Sequence, residues 1–457
     1  MTSLFGKCSR LFRFLAEAFV WELFIPSSRG ILVVLAGIPV ILAAFALGLG
    51  WMGFWLYSGF VAAASIVDLA SLPSRRQIRV ARSIPARIEQ GRPFEVGIEV
   101  SFSGRMPVSV QAADDLPLEF RPHGVMKAQV NGRQPLAFRY ITEASARGNY
   151  MLRHIYIRCS GNLGLWERQV RLQENLTLRV YPDLSGVRGI MASMQHSLVL
   201  DGERIKVREQ SGLDFHYIRE YSPDDDPRAI NWIASARTGR PMANVRQPER
   251  GKTVTLLIDC GRLMGMELDG QVKLDRAIEA ALSLAAVALR QGDQVAMLAF
   301  SGEVLAYVPP GRTAAYLQDI LEAVYPLKSE PSESNYSLAL DYLLHVQRKR
   351  SMIVLFSDME NYLFEDELAP YLVKLRRNHA LLLLSLEDPV VTAWTRAGTA
   401  NLARAYMRTA AQTARLERKR FVGHMGSRGI PVLDVPAGQL ALAAVNQYLE
   451  QRSRGLI

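Results

Sequence analysis

Ionisable side chains crowd one short stretch of this chain, between residues 212 and 237. Clustered carboxylates shift one another's pKa values, so a hydrolase could use one protonated carboxyl as an acid and a second to activate water. Between residues 219 and 237, three arginines, Arg219, Arg228 and Arg237, nearly match the four acids in number, which favours ionised, paired carboxylates. We therefore expect a structural or binding role and no enzyme. The candidate residues are Asp214, Phe215, Arg219, Glu220, Tyr221, Pro223, Asp225, Asp226, Arg228, Trp232, Ser235 and Arg237.

Turn and helix signals occur in the same stretch. Pro223 and Pro227 would rigidify a turn, and the carboxylates of Asp224 to Asp226 could cap a helix that begins near Arg228. The stretch thus predicts a staple that joins the domains on either side of it. The buried contacts of the helix would come from Ile230, Trp232 and Ile233.

Other chemical signatures are absent from the sequence. It contains no Gly-x-Ser-x-Gly, no Gly-rich phosphate loop with a lysine and no His-rich metal motif. Its three cysteines, Cys8, Cys159 and Cys260, are widely scattered, which is typical of a reducing cytosol. The formal charge is +10, but no stripe of aromatic residues is interleaved with the basic ones, so we expect no nucleic-acid partner.

The longest uncharged run of the chain extends over 38 residues, from Gly30 to Val67. At about 1.5 Å of rise per residue, it is long enough for two helical crossings of a hydrocarbon core about 30 Å thick. Gly48-Leu49-Gly50 predicts the turn between them. Basic residues on both flanks place both ends in the cytoplasm by the positive-inside rule. We therefore predict a transmembrane helical hairpin over residues 30–70, preceded by a cytoplasmic amphipathic segment over residues 1–29.

The remaining residues divide by their hydrophobic patterns. Residues 77–182 alternate apolar and polar side chains in short runs, which predicts an Ig-like, antiparallel β-sandwich. Residues 183–250 are polar, and we expect an extended connector there. Continuous apolar strands alternate with helices over residues 251–457, which indicates a doubly wound parallel sheet with binding sites at the carboxyl ends of its strands. The predicted fold class is therefore a multi-domain membrane protein. Its folded parts are the transmembrane helical hairpin, the antiparallel β-sandwich and the doubly wound α/β domain.

The stretch from Gly212 to Arg237 resembles the signature of a large bacterial family catalogued as domain of unknown function fifty-eight. Arg147-Gly148-Asn149-Tyr150 and Gly164-Leu165-Trp166 resemble the sandwich motifs of that family, and Arg29-Gly30 before the hairpin fits as well. Asp224 departs from the pattern, because the family usually has glycine there.

The α/β part is similar to a von Willebrand factor A domain, a fold that holds a divalent cation above its sheet. The residues that align with the usual ligands are Asp259, Gly261, Leu263, Ser334 and Asp358. Mg²⁺ requires a near-octahedral shell of oxygens, and Gly261 and Leu263 offer no side-chain oxygen. We therefore expect no cofactor, with Asp259, Ser334 and Asp358 as remnants of a degenerate site capable only of weak Mg²⁺ binding.

The resemblance implies a function as well as a fold. Members of this family are often linked with MoxR-type AAA+ ATPases, which suggests such an ATPase as a partner in assembling or remodelling envelope proteins. The predicted function is a scaffold or adaptor in the bacterial inner membrane, with both termini and the large domains in the cytoplasm. Two alternatives are a cation-dependent ligand-binding receptor and an enzyme that uses the acidic signature.

Overall fold

The computed structural model describes residues 24–103, 108–122, 124–130, 135–200, 214–222, 225, 227–247, 251–268, 270–358, 363–398 and 401–455. The chain divides into two compact units after Tyr181. Each unit has its own hydrophobic core.

Two apolar helices follow a short strand at the start of the described part of the first unit: α1 covers Ser28–Ala46 and α2 covers Gly50–Ser71. They turn at Gly48, whose φ of 78° lies in the left-handed region that favours glycine. Most of their apolar side chains are exposed, which is unlike the core helices of a soluble domain. By length and composition, both helices could cross a membrane. The predicted pair of apolar helices is thus present.

Nine strands lie in the described part of the first unit. One sheet has the order β1-β9-β8-β5-β6, with β3 paired to β9, and the other has the order β2-β4-β7. The pairs are antiparallel except β3–β9, and apolar side chains of both sheets meet in one core, so the predicted antiparallel sheets are confirmed. The strands are β1 Phe24–Pro26, β2 Ile78–Ser83, β3 Ile88–Glu89, β4 Pro93–Phe102, β5 Val108–Asp114, β6 Met126–Val130, β7 Leu136–Glu143, β8 Gly148–Ser160 and β9 Trp166–Tyr181.

The carboxylate of Asp68 joins the helical pair to the sandwich. Asp68 is fully buried near the end of α2, and it accepts hydrogen bonds from the backbone N–H groups of the turn between β8 and β9. The donors are Leu163 at 2.7 Å, Leu165 at 2.8 Å and Trp166 at 2.8 Å. We call this contact the hairpin–sandwich junction.

The start of α1 lies against the same turn. Ser27 donates its N–H to the carbonyl oxygen of Leu165 over 2.8 Å, and a Cβ on Gly30 would overlap that oxygen. The junction therefore brings together Arg29-Gly30 and Gly164-Leu165-Trp166, two motifs that the family resemblance had singled out separately.

The second unit opens with a helix and a hairpin: α3 covers Ser185–Leu200, β10 covers Asp214–Glu220 and β11 covers Met242–Gln247, with α4, Trp232–Thr238, inserted between the two strands. The predicted extended connector over residues 183–250 is therefore wrong for its described part. Local polarity misled the prediction, because α3 packs against a helix of the α/β domain and the hairpin strands satisfy each other's backbone groups.

A six-stranded sheet organises the α/β domain. Its order is β16-β15-β12-β17-β18-β19, and every neighbouring pair is parallel except β15–β16 at one edge. The central strands are buried along their whole length. The strands are β12 Thr253–Asp259, β15 Gln294–Phe300, β16 Val304–Gly311, β17 Ser351–Phe356, β18 Ala380–Glu387 and β19 Val432–Pro436, and a small hairpin adds β13 Glu267–Leu268 and β14 Gln271–Val272.

Seven helices flank this sheet in the described part of the domain. Apolar side chains of three of them share one core with the sheet, and the first helix, almost entirely buried, packs against β12, β15 and the last helix. The sequence predicted the alternation of strands and helices, but it gave no bounds for the two helices between β18 and β19. The helices are α5 Lys273–Arg290, α6 Tyr316–Val324, α7 Tyr336–Val346, α8 Leu363–Arg376, α9 Pro389–Arg396, α10 Leu402–Ser427 and α11 Leu440–Ser453.

Candidate functional site

The charged signature folds into a hairpin with a short helix at its tip. Backbone pairing of β10 with β11 places Asp214 opposite Gln247 and Glu220 opposite Met242. A helical turn of three residues, Pro227–Ala229, precedes α4. We call the segment from Asp214 to Gln247 the signature hairpin. Pro223, Asp224 and Asp226 lie outside the described residues.

Asp225 holds the turn that follows β10. Its Oδ1 accepts from the guanidinium of Arg219 at 2.6 Å, and its Oδ2 accepts from the N–H of Ser222 at 2.9 Å. The hydroxyl of Tyr221 donates to the carbonyl oxygen of Asp225 at 3.3 Å. Three candidate residues of the signature are thus brought together, and their bonds shape the loop.

Asn231 caps α4. Its side chain accepts from the N–H of Ala234 at 3.0 Å and donates to the side chain of Asn244 on β11 at 2.9 Å. Ser235 continues the link, because its hydroxyl accepts from the N–H of Met242 at 2.8 Å. Gly239 ends the helix with a φ of 70°. The polar residues of the signature hairpin therefore fix α4 to β11.

Trp232 and Ile233 lie on the outside of this frame. Their side chains are 74% and 73% exposed, so the prediction that they supply buried contacts is wrong. The prediction followed from their apolar character, but α4 has only seven residues and is held by polar bonds. Arg228 and Arg237 are exposed as well, and Glu220 pairs with the exposed Arg240. The role of the segment as a staple between domains stays a prediction.

A second group of polar side chains lies at the carboxyl ends of β12 and β17. The carboxylate of Asp259, 2% exposed, accepts on Oδ1 from the N–H of Gly261 at 2.8 Å and from the hydroxyl of Ser334. Its Oδ2 accepts from the hydroxyls of Tyr336 and Ser357, both at 2.6 Å. Four donors therefore surround a carboxylate that the sequence had singled out as a metal-ligand remnant.

Asp358 belongs to the same edge, and it is paired differently. Its Oδ2 accepts from the ammonium of Lys273, the first residue of α5, and both side chains are fully buried. Burial raises the pKa of Asp358, an effect that the positive charge of Lys273 opposes. Its Oδ1 has no hydrogen-bond partner among the described residues. We call Asp259, Lys273, Ser334, Tyr336, Ser357 and Asp358 the strand-end cluster.

The strand-end cluster does not fit a tightly bound Mg²⁺. Both oxygens of Asp259 already have two donors each, and Gly261 and Leu263 supply no side-chain oxygen. The ammonium of Lys273 would repel a divalent cation beside Asp358. Oδ1 of Asp358 alone is far from a six-oxygen shell. No group of three or more His, Cys, Asp or Glu side chains suited to a metal occurs within the described ranges.

Sequence reasoning missed Lys273, Tyr336 and Ser357. The lysine occupies one position at the start of a strongly apolar helix, where it could equally have pointed to solvent. Ser357 follows β17 directly, and this position at a strand end was the one available signal for it.

The strand-end cluster should make the stability of the folded chain depend on pH. Burial, and then the charge of Asp259, raise the pKa of Tyr336 well above its ordinary 10.0. The unfolded chain releases this proton above pH 10.0 while the folded chain retains it, so stability is complete below that pH and decreases above it. The expected loss from this residue is about 1.4 kcal/mol per pH unit.

Denaturant unfolding of the detergent-solubilised chain at increasing pH measures this loss. Tyr336→Phe should give a shallower fall of stability above pH 10.0 than the parent. Tyr342→Phe, at an exposed tyrosine of the same helix, should not. Equal slopes in the parent and in Tyr336→Phe would contradict the prediction.

Together, the fold and these two groups define a class of protein: an antiparallel sandwich with two apolar helices, followed by a doubly wound α/β unit that begins with the signature hairpin. Residues 217–421 match the model of a family described as "Protein of unknown function DUF58". This match supports the resemblance that the signature suggested.

Curated relatives include uncharacterized proteins of Mycobacterium bovis and Mycobacterium tuberculosis, each 24% identical over 162 residues, or 35% of this chain. The matched residues span 51% of those relatives, so the chain spans about half the length of the curated relatives it matches.

Two solved structures are also similar. One is the conserved hypothetical protein BatB from Bacteroides thetaiotaomicron, with 13% identity, 45% of this chain, 100% of that chain and a TM-score of 0.30. The other is an uncharacterized membrane spanning protein from Vibrio fischeri, with 12% identity, 43% of this chain, 96% of that chain and a TM-score of 0.15. Neither TM-score is high enough to define the fold.

Proposed function

We propose that this chain is a membrane-anchored adaptor that binds a partner protein through its signature hairpin. The observation that carries the proposal is the exposure of Trp232 and Ile233 on a frame fixed by hydrogen bonds. Exposed tryptophan on a rigid support is the kind of residue that dominates binding energy at protein interfaces. The exposed side chain of Trp232 does not stabilise the signature hairpin itself.

Anchoring is supported by α1 and α2. Both helices are long and apolar enough to cross a bilayer, and their apolar side chains are exposed. Basic residues precede α1 and follow α2, so both ends would lie in the cytoplasm of a bacterial cell by the positive-inside rule. The hairpin–sandwich junction would then hold the sandwich close to the inner membrane. Clipping of the C-terminal unit by a protease added to intact cells would contradict this orientation.

The family resemblance suggests the kind of partner. We propose a MoxR-type AAA+ ATPase that assembles or remodels envelope proteins together with this adaptor. The strand order of the α/β domain, with one antiparallel edge strand, supports its similarity to a von Willebrand factor A domain. In that class of fold, the loops at the carboxyl ends of the strands are available for recognition.

Affinity capture from detergent-solubilised membranes, with ATP bound and the captured ATPase identified by mass spectrometry, tests the function. The parent chain should recover an AAA+ ATPase, and the variant with both Trp232→Ala and Ile233→Ala should recover it about tenfold less well, as expected for loss of an interface anchor. The variant should unfold at the parent's temperature, because both side chains are exposed.

Leu402→Ala is the matched control, because Leu402 is 74% exposed on another helix of the same unit. It should recover as much ATPase as the parent. Recovery of no AAA+ ATPase by the parent would argue against this partner. Equal recovery by the parent and the double variant would exclude the signature hairpin as the binding surface.

A further inference from the structure

The buried charge of Lys273 calls for an explanation. Its side chain is completely inaccessible, and burying an ammonium group costs several kcal/mol unless a partner compensates it. It is also the first residue of α5, where the helix dipole disfavours a positive charge. Both local effects oppose a lysine here, so the reason for it must lie in the tertiary contacts.

Those contacts are the ends of two adjacent parallel strands. Ile258 on β12 pairs with Phe356 on β17. Asp259 directly follows Ile258, and Asp358 lies two residues after Phe356, so both residues come to the same edge of the sheet. The negative charge of Asp259 is compensated by one N–H and three hydroxyl groups. Asp358 has no such set of donors among the described residues, and it has the ammonium of Lys273 instead.

We propose that the ammonium of Lys273 is a built-in replacement for a divalent cation at this edge of the sheet. The single positive charge of Lys273 compensates the carboxylate of Asp358. Hydroxyl groups donate hydrogen bonds to the carboxylate of Asp259, which a cation would otherwise bind. The ends of β12 and β17 are consequently held together without metal. The conformation of this edge is then independent of Mg²⁺ and of chelators. The proposal concerns residues remote in sequence from the signature hairpin, and it stands or fails separately from partner binding.

Thermal unfolding of the full chain in detergent is the first test. Mg²⁺, Mn²⁺ or EDTA should leave the Tm of the parent unchanged. Lys273→Met should lower the Tm by about 10 °C, because it leaves the carboxylate of Asp358 buried without a counter-charge. Adding Asp358→Asn to Lys273→Met should restore more than half of that loss, since the double variant buries no charge.

Thiol alkylation locates the effect in the molecule. Cys260 is fully buried next to Asp259, and Cys159 is fully buried in the other unit. Lys273→Met should speed the alkylation of Cys260, read by peptide mass spectrometry, and leave that of Cys159 unchanged. Lys328→Ala, at an exposed lysine of the same domain, is the matched control and should change neither rate nor Tm.

Two results would overturn the proposal. One is a rise in the Tm of the parent with Mg²⁺ or Mn²⁺, because a site already filled by an ammonium group leaves no place for the metal. The other is a double variant no more stable than Lys273→Met, because that would mean that Lys273 acts through packing and not through its charge.

Discussion

Asp68→Ala is expected to release α2 from the sandwich. The carboxylate accepts hydrogen bonds from three backbone N–H groups, and its removal leaves those of Leu165 and Trp166 without a partner, while Leu163 lies at an exposed position. At about 1–3 kcal/mol for each of these two unsatisfied donors, the loss should be about 2–6 kcal/mol. This is among the largest effects of a single substitution outside a hydrophobic core.

Hydrogen exchange of the detergent-solubilised chain provides the measurement. The peptide that covers the turn between β8 and β9 should exchange about a hundredfold faster in Asp68→Ala than in the parent. Asp115→Ala is the matched control, because the side chain of Asp115 is 41% exposed in the same unit. Unchanged protection of the turn in Asp68→Ala would show that the carboxylate does not hold the junction.

The junction matters for any force or movement that passes through the membrane anchor. A helical pair fixed to the sandwich by a buried carboxylate and by Ser27 transmits its position to the domain. An uncoupled pair would act only as a flexible tether. If the adaptor proposal is right, Asp68→Ala should still bind membranes, because its apolar helices are unchanged.

Asp114→Ala is expected to destabilise the sandwich by about 3–5 kcal/mol, the usual cost of leaving a buried charge unpaired. Asp114 on β5 pairs with Arg82 on β2, so the ion pair joins the two sheets, and both side chains are fully buried. Arg82 also donates to the carbonyl oxygens of His154 and Glu174, and Tyr140 donates its hydroxyl to Asp114 at 2.6 Å. Removing the carboxylate leaves a guanidinium in the core without its counter-charge.

Reactivity of Cys159 in increasing denaturant measures this loss. The thiol is fully buried in the sandwich, and burial raises its pKa to about 12, so it reacts only when the sandwich opens. The midpoint should move to lower denaturant in Asp114→Ala. The variant with both Arg82→Met and Asp114→Leu should be less destabilised, because no charge is left buried. A double variant as unstable as the single one would contradict the ion-pair explanation.

Local pattern was sufficient for much of the fold. The uncharged run predicts the two apolar helices and their glycine turn, because helix length and polarity depend only on consecutive residues. Alternating side chains likewise predict the antiparallel sheets, and continuous apolar runs predict buried parallel strands such as β17, which is buried along its whole length. The signature stretch was recognised from its residues alone, and the family match over residues 217–421 supports it.

Local pattern was misleading where contacts decide. Asp225 was predicted to cap a helix, but the bonds of Arg219 and Ser222 assign it to a loop, and Asn231 caps α4. Trp232 looked buried because it is apolar, although α4 turns it towards solvent. A helix of seven residues carries too little periodicity to indicate which face packs.

Outside residues 183–250, the sequence by itself determined most of the helices and strands, and it showed which carboxylates stand at the ends of the strands. Only the tertiary structure decided what those carboxylates bind. Lys273 lies 85 residues from Asp358, and Asp68 lies 97 residues from Leu165. Buried polar groups must find partners, and partners this remote are chosen by the packing of whole elements, which no local spacing records.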